Sequence, residues 1–322
     1  MLCANSFFLL LLLLGRVDGQ MPASDDTPRV WPKPIDIPDF DTTTPSLECS
    51  NSFTFSSKSV SEVLSFNIQY YRAILFARNT ATTATATTTQ PQSSLLSTLQ
   101  IHIVQRTTPQ DVPFLGMDES YVLKVQAPNA TLTAPTVWGA VRGLETFVQL
   151  FRMNGDKVSI LGGGMEGGFT IKDAPRFPWR GLMLDPARHF IPVHAINATL
   201  DAMAQNKLNT LHLHLTDGEA FAVNTEQWKD FTLLSVKGAF APQVSYTKDD
   251  LRSIVAHARL RGIRVIPEFD LPAHMTSWAQ GYPSLITDCP SYNPHPEWPR
   301  YYSKCLSFFW YFYFIFLRKI YG

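Results

Sequence analysis

Three short stretches concentrate residues that can move protons or grip polyols. They are Asp185-Pro-Ala-Arg188-His189, His212-Leu-His214-Leu-Thr-Asp217-Gly-Glu219 and Glu268-Phe-Asp270-Leu-Pro-Ala-His274. Carboxylates beside imidazoles are the raw material of general acid–base chemistry, because each neighbour can shift the other's pKa toward the working pH. Arg188 adds a rigid fork of donors suited to several hydroxyls or a carboxylate at once. Structural readings stand beside these. Asp185 and Asp270 could cap loops or pair with Arg188 as ion pairs that merely hold strand ends. His212 and His214 share one face of a strand by its two-residue period, as pocket-wall histidines or, with ligands from later strands, as a metal pair.

Each stretch follows an apolar run able to position it. Leu182-Met-Leu184 is short and continuous, which predicts a strand buried on both faces. Thr210 to Thr216 and Ile263 to Phe269 predict a second and a third strand. Between the first two lies a helix with Ile196, Leu200, Met203 and Leu208 on one side. Before the third, Thr247-Lys-Asp-Asp250 predicts a capping box, opening a helix with Leu251, Ile254, Val255 and Ala258 inward and Gly262 as its left-handed cap. Strand, helix, strand, helix, strand is the order of a parallel α/β domain, in which loops after strand C-termini converge on one mouth.

Upstream the pattern is mixed. Val60, Val63, Leu64, Ile68, Tyr71 and Leu75 predict a helix from Ser59 to Phe76, while Leu99 to Val104 and Tyr121 to Val125 predict strands. After Pro135, an amphipathic helix carries Val137, Val141, Leu144, Val148 and Phe151 on one face. The glycines from Gly162 to Gly168 lack the Lys-Ser/Thr of a phosphate loop and precede strand-like Phe169-Thr-Ile171, so they read as a turn. Pro22 to Pro45 is an extended lead-in around Trp31-Pro-Lys-Pro34, and Thr80 to Thr89, nearly all Thr and Ala, is an exposed loop.

With 27 Lys+Arg against 27 Asp+Glu, the chain of 322 residues has no cationic excess to displace counterions, which excludes a phosphate-driven nucleic-acid partner. A composition 45% hydrophobic and 17% charged is that of a chain able to bury a core. Phe7 to Leu14 is too short to span a membrane but has the length of a signal h-region, with Gly15, Val17 and Gly19 near a cleavage site. The sequons Asn129-Ala-Thr131 and Asn197-Ala-Thr199 agree with delivery to the secretory pathway. Cys3 falls in the signal, leaving Cys49, Cys289 and Cys305, an odd number with no zinc or redox spacing, so no metal or other cofactor is expected.

The stretches Arg180 to His189, Leu200 to Asn209, Leu211 to Asp217 and Arg259 to Asp270 with Pro272-Ala-His274 resemble the eukaryotic β-N-acetylhexosaminidases of glycoside hydrolase family 20. Upstream, Trp31-Pro-Lys-Pro34, Tyr121-Val-Leu and Gly139 to Leu150 are similar to the small α+β domain preceding the barrel in that family. The resemblance implies an α/β chain: signal peptide 1–19, lead-in 20–45, N-terminal α+β domain 46–172, and part of a (β/α)8 TIM barrel over 173–303, about three of its eight strands. It also implies hydrolysis of terminal non-reducing N-acetylglucosamine or N-acetylgalactosamine with retention, the sugar's own acetamido oxygen replacing an enzyme nucleophile. Carried over, Arg188 binds ring hydroxyls, and Asp217 and His274 join the active-site network; a homodimer and an extracellular, vacuolar or lysosomal destination go with the family.

Two departures stand out. Gly218 replaces the second residue of an Asp-Asp pair, which implies an altered polar shell at Asp217. The family's His-x-Gly-Gly-Asp-Glu motif, holding the acid and the aspartate that orients the acetamido group, occurs nowhere in the 322 residues. No catalytic residue is therefore nominated, and an atypical aromatic tail over 304–322 takes the place of a fourth strand. In the family a residue like Cys289 pairs with a cysteine just beyond that motif. The expectation is a truncated, inactive hexosaminidase, with a non-catalytic sugar-binding or interaction fragment as the alternative.

Overall fold

The computed structural model describes residues 30–40, 46–76, 95–105, 107–108, 111–154, 157–162, 167–228, 231–241, 243–271, 273–288 and 304–306. The signal segment, the Thr80–Thr89 run, Cys289 and the aromatic run Phe308–Leu317 lie outside the described residues.

Alternation of apolar and polar residues builds a seven-stranded sheet from β1 (Ser46–Ser57), β2 (Leu96–Ile103), β3 (Tyr121–Val125), β4 (Asn129–Ala134), β5 (Phe151–Asn154), β6 (Lys157–Leu161) and β7 (Phe169–Asp173). The spatial order is β5-β6-β1-β2-β4-β3-β7, with β1, β2 and β4 parallel and the remaining pairs antiparallel. Helices α1 (Glu62–Phe76) and α2 (Val137–Gln149) pack against each other, and α2 lies on β2, β3 and β4. Leu99, Ile101, Leu123, Leu132, Leu144 and Phe147 form the core between them. Thr136 caps α2 by accepting from the Trp138 and Gly139 N–H groups, a contribution of about 1 kcal/mol.

Three predicted boundaries shift. Val60 precedes α1 and is exposed, because Ser61 takes the first free N–H, from Leu64. Phe151 starts β5 rather than extending α2, and Val104 lies beyond the end of β2 and is exposed.

The second sheet is parallel: β8 (Gly181–Leu184), β9 (Thr210–Thr216) and β10 (Arg264–Phe269), with β9 central. Helices α3 (Val193–Gln205) and α5 (Lys248–Leu260) pack together over it, and the short helices α4 (Leu233–Gly238) and α6 (Thr276–Gly281) pack beside its far end. Alternate residues Leu211, Leu213 and Leu215 enter the core with Ile196, Leu200 and Ile254, leaving His212 and His214 on the other face. The capping box forms as expected: Thr247 Oγ1 accepts from the Asp250 N–H, and the Asp250 carboxylate accepts from the Thr247 N–H. Gly262 sits at φ 66°, the left-handed conformation that glycine adopts without steric cost.

The expectation of a first strand buried on both faces is wrong: Leu182 is 40% and Met183 52% exposed, and among the described residues β8 is an edge strand with β9 as its neighbour. Leu208 follows α3 rather than belonging to it, and Val255 points outward from α5. A final antiparallel pair, β11 (Ile286–Asp288) with β12 (Lys304–Leu306), brings part of the expected tail back as a strand.

Candidate functional site

Because β8, β9 and β10 are parallel, their C-terminal ends share one rim, and the three polar stretches meet there. Register places Glu268 of β10 opposite His214 of β9, and His212 one pleat back on the same face. One carboxylate oxygen, Glu268 Oε2, therefore lies 2.5 Å from His212 Nε2 and 2.8 Å from His214 Nδ1. The other ring nitrogen of His214 is 2.8 Å from Asp217 Oδ2.

Asp217 is the hub. It is 1% exposed, yet its oxygens meet Arg188 Nη2 at 2.6 Å, His274 Nδ1 at 3.1 Å and the Gly218 N–H at 2.6 Å. Ser277 donates to its backbone carbonyl at 2.5 Å. His274 adopts φ 56°, a conformation uncommon for a side-chain-bearing residue, and it aims the imidazole at Asp217. Arg188, 41% exposed, is held on three nitrogens: Nη1 by Asp185 at 2.7 Å, Nη2 by Asp217, and Nε by Glu219 at 3.2 Å. The fork is thereby fixed in place while much of its surface stays open to a ligand.

The charges follow from these contacts. Burial works against protonation of His214, but the hydrogen bonds to Glu268 and Asp217 outweigh it and raise its pKa. Burial by itself would raise Asp217, but the Gly218 N–H, His214, His274 and Arg188 prevail and lower it. Glu268 is lowered in the same way, by His214 and His212 against its burial. The rim thus carries an imidazolium between two carboxylates at mildly acidic pH.

Ligand atoms of His214, Glu268 and Asp270, and of Asp217, Asp270 and His274, approach within 4.8 Å of one another. An ion in the first group would have to displace His214 from carboxylates that already occupy both of its ring nitrogens. In the second group Asp217 and His274 are already paired with each other, and Asp217 also with Arg188.

Arg188, Asp217 and His274 therefore come together as the sequence suggested, with Asp185, Glu219 and Glu268 as partners; His189 is exposed and does not join them. Gly218 contributes a hydrogen bond to Asp217 in place of a side chain, and a Cβ there would touch only Thr276, at 3.9 Å. Asn129 starts β4 on the exposed side, and Asn197 sits inside α3, half-buried. Among the described residues Cys49 has no disulfide partner, and its burial pushes the thiol pKa up to about 12.

Sequence reasoning missed a second polar cluster, at the opposite rim of β8–β10. Arg142 of α2 pairs with Glu119 at 2.9 Å, both side chains 2% exposed, and donates to the carbonyls of Arg261 and Gly262 at 3.2 and 3.0 Å. Glu119 also takes Arg180 at 2.7 Å and Asn209 at 3.0 Å. Beside it, Lys207 Nζ reaches Thr146, Tyr121 and Asp173 at 2.6, 3.2 and 3.3 Å. The available signal was a lone arginine within the apolar run of α2. No helix among the described residues is long and apolar enough to cross a membrane.

Comparison with known proteins supplies what the geometry cannot. The family model for the glycosyl hydrolase family 20 catalytic domain matches residues 177–316, and one described as beta-acetyl hexosaminidase like matches residues 30–150. Beta-hexosaminidase subunit beta of Mus musculus is 45% identical over 199 residues, 60% of this chain and 35% of the mouse protein. The subunit beta of Homo sapiens is 46% identical over 177 residues, 55% of this chain and 30% of the human one. Among solved structures, Flavobacterium johnsoniae chitobiase superposes with a TM-score of 0.66 at 28% identity, covering 83% of this chain and 38% of its own. The chain spans about a third of the length of the curated relatives it matches.

Proposed function

The chain belongs to glycosyl hydrolase family 20, its three parallel strands being part of the family's (β/α)8 barrel behind a small α+β domain, and from that premise we propose that its strand-end rim is the terminal-sugar pocket of a β-N-acetylhexosaminidase. The ligand is a non-reducing N-acetylglucosamine or N-acetylgalactosamine on a glycan, and the complete reaction is substrate-assisted hydrolysis with retention. Residues 46–172 act as the small domain and residues 173–303 as the barrel portion, reached by way of the secretory pathway after removal of residues 1–19.

The observation that carries this reading is the open guanidinium of Arg188, braced by Asp185, Asp217 and Glu219 at the mouth. A fixed fork matches adjacent ring hydroxyls, and Asp217 with His274 sets its back wall. A polypeptide of these 322 residues has no Gly-Gly-Asp-Glu acid motif. It lacks a general-acid contribution of about 10²–10⁴-fold and, beyond that, the orientation of the acetamido group. Binding without hydrolysis is the expected behaviour.

The test is titration of the purified chain with N-acetylglucosamine, observed by ligand NMR, alongside an aryl N-acetylglucosaminide assay. Saturable binding that weakens about tenfold or more in Arg188→Lys, with no aryl release, supports the proposal. Release comparable to a full-length relative overturns the non-catalytic part, and binding indifferent to Arg188→Lys overturns the pocket assignment.

A further inference from the structure

The two sequons are equivalent in sequence and opposite in structure. Asn129-Ala130-Thr131 lies in β4, whose burial alternates so that Ala130, Leu132 and Ala134 enter the core while Asn129, Thr131 and Thr133 look outward. The two-residue period of a strand puts the acceptor asparagine and its threonine on the same face. The cross-strand neighbours of that pair are Thr98, Gln100 and Lys124, all small or polar, and α2 packs on the opposite face with α1 against it. Asn129 itself is exposed, at the start of the strand.

Asn197-Ala198-Thr199 is wound into α3. Asn197 is half-buried beside Ile196, and its Oδ1 is sealed from solvent with no hydrogen-bond partner. The Thr199 hydroxyl donates back to the Ala195 carbonyl at 2.9 Å. The amide is planar, so a sugar joined to Nδ2 would stand beside that sealed oxygen and crowd the flank of α3.

We propose that Asn129 carries an N-linked glycan projecting from the helix-free face of the seven-stranded sheet, and that Asn197 stays unmodified. The bond formed joins Asn129 Nδ2 to the anomeric carbon of an oligosaccharide donated from a lipid-diphosphate carrier. The bond broken joins that carbon to the diphosphate, which leaves with the electron pair, and the amide gives up one proton. The assignment rests on the secretory route proposed above.

The full chain, from Met1, is expressed in a secreting eukaryotic cell, and both asparagines are read by peptide mass spectrometry after glycan release in heavy-oxygen water. The expected result is isotope incorporation at Asn129 and none at Asn197. On gels, Asn129→Gln and Thr131→Ala lose one glycan-sized step, while Thr131→Ser, which keeps the sequon, and Asn197→Gln do not. A glycan on Asn197 overturns the proposal. So does a bare Asn129, and the N-terminus then tells why: residues 1–19 intact means that the secretory route failed, whereas a processed N-terminus means that the sheet-face argument failed.

Discussion

The two rims of the parallel sheet use the same residue types for different ends. At the N-terminal rim, Glu119, Arg142, Arg180 and Lys207 interlock between the two sheets, and the Glu119–Arg142 pair is all but sealed from water. At the C-terminal rim, Arg188, Asp217, His214 and Glu268 also interlock but leave the guanidinium nearly half exposed. The dry cluster satisfies backbone carbonyls just before β10 and just before β9, and so holds the sheet to the small domain. The open cluster takes only nearby rim groups, the Gly218 N–H and the Ser277 hydroxyl among them, and leaves the guanidinium face open. Residue type does not separate the two clusters; solvent access and position relative to strand direction do.

The contrast can be broken by experiment. The largest effect is expected from Glu119→Ala, which strands Arg142 without its carboxylate: a loss of about 3–5 kcal/mol in denaturant unfolding, with sugar affinity unchanged in the molecules that remain folded. A loss under about 1 kcal/mol would mean that the buried pair is not the clasp described. Asp217→Asn comes next. It should cost about 1–3 kcal/mol of stability and abolish detectable N-acetylglucosamine binding, the reverse emphasis from Glu119→Ala. Retained binding would detach Asp217 from the pocket.

Third is a pH signature. His214 is raised in the folded state, so its contribution is complete below about pH 6.5 and is lost as pH rises through its higher folded value. Asp217 and Glu268 are lowered, so theirs is complete above about pH 5 and is lost as pH falls through their folded values. The stability difference between the parent chain and His214→Gln should therefore peak between about pH 5 and 6.5. Glu119 is lowered by Arg142 and Arg180 against its burial, so the difference between the parent and Glu119→Gln should stay level from about pH 5 through neutrality. Matching profiles for the two would erase the distinction between the rims. The smallest effect is a zero line: the exposed Asp249–Arg252 pair belongs to neither rim, and Arg252→Ala should change stability by less than about 0.5 kcal/mol in the same unfolding assay.

Periodicity carried much of this architecture. The strand at Thr210–Thr216, the helix opened by the Thr247 box and the cap at Gly262 were legible because each depends on neighbours within a few residues. Convergence of Arg188, Asp217 and His274 was legible as well, since parallel strands put their C-terminal loops on one side. The burial of β8 was not. A continuous Leu-Met-Leu run states a preference for burial but not whether a neighbouring strand is present to provide it.

Sequence by itself determined the strand–helix order from β8 to β10, the motifs that carry the family resemblance, and the residue types available at the rim. The tertiary structure decided which carboxylate serves which cation. Glu268 lies 54 residues from His214 yet takes its Nδ1, and Glu119 lies 90 residues from Asn209 yet takes its amide. It also separated two identical sequons, one on an outward-facing strand and one packed into a helix flank. The reason is range: propensity, capping and periodicity act over a few residues along the chain, whereas electrostatic partnership and solvent access depend on what folding brings within a few ångströms.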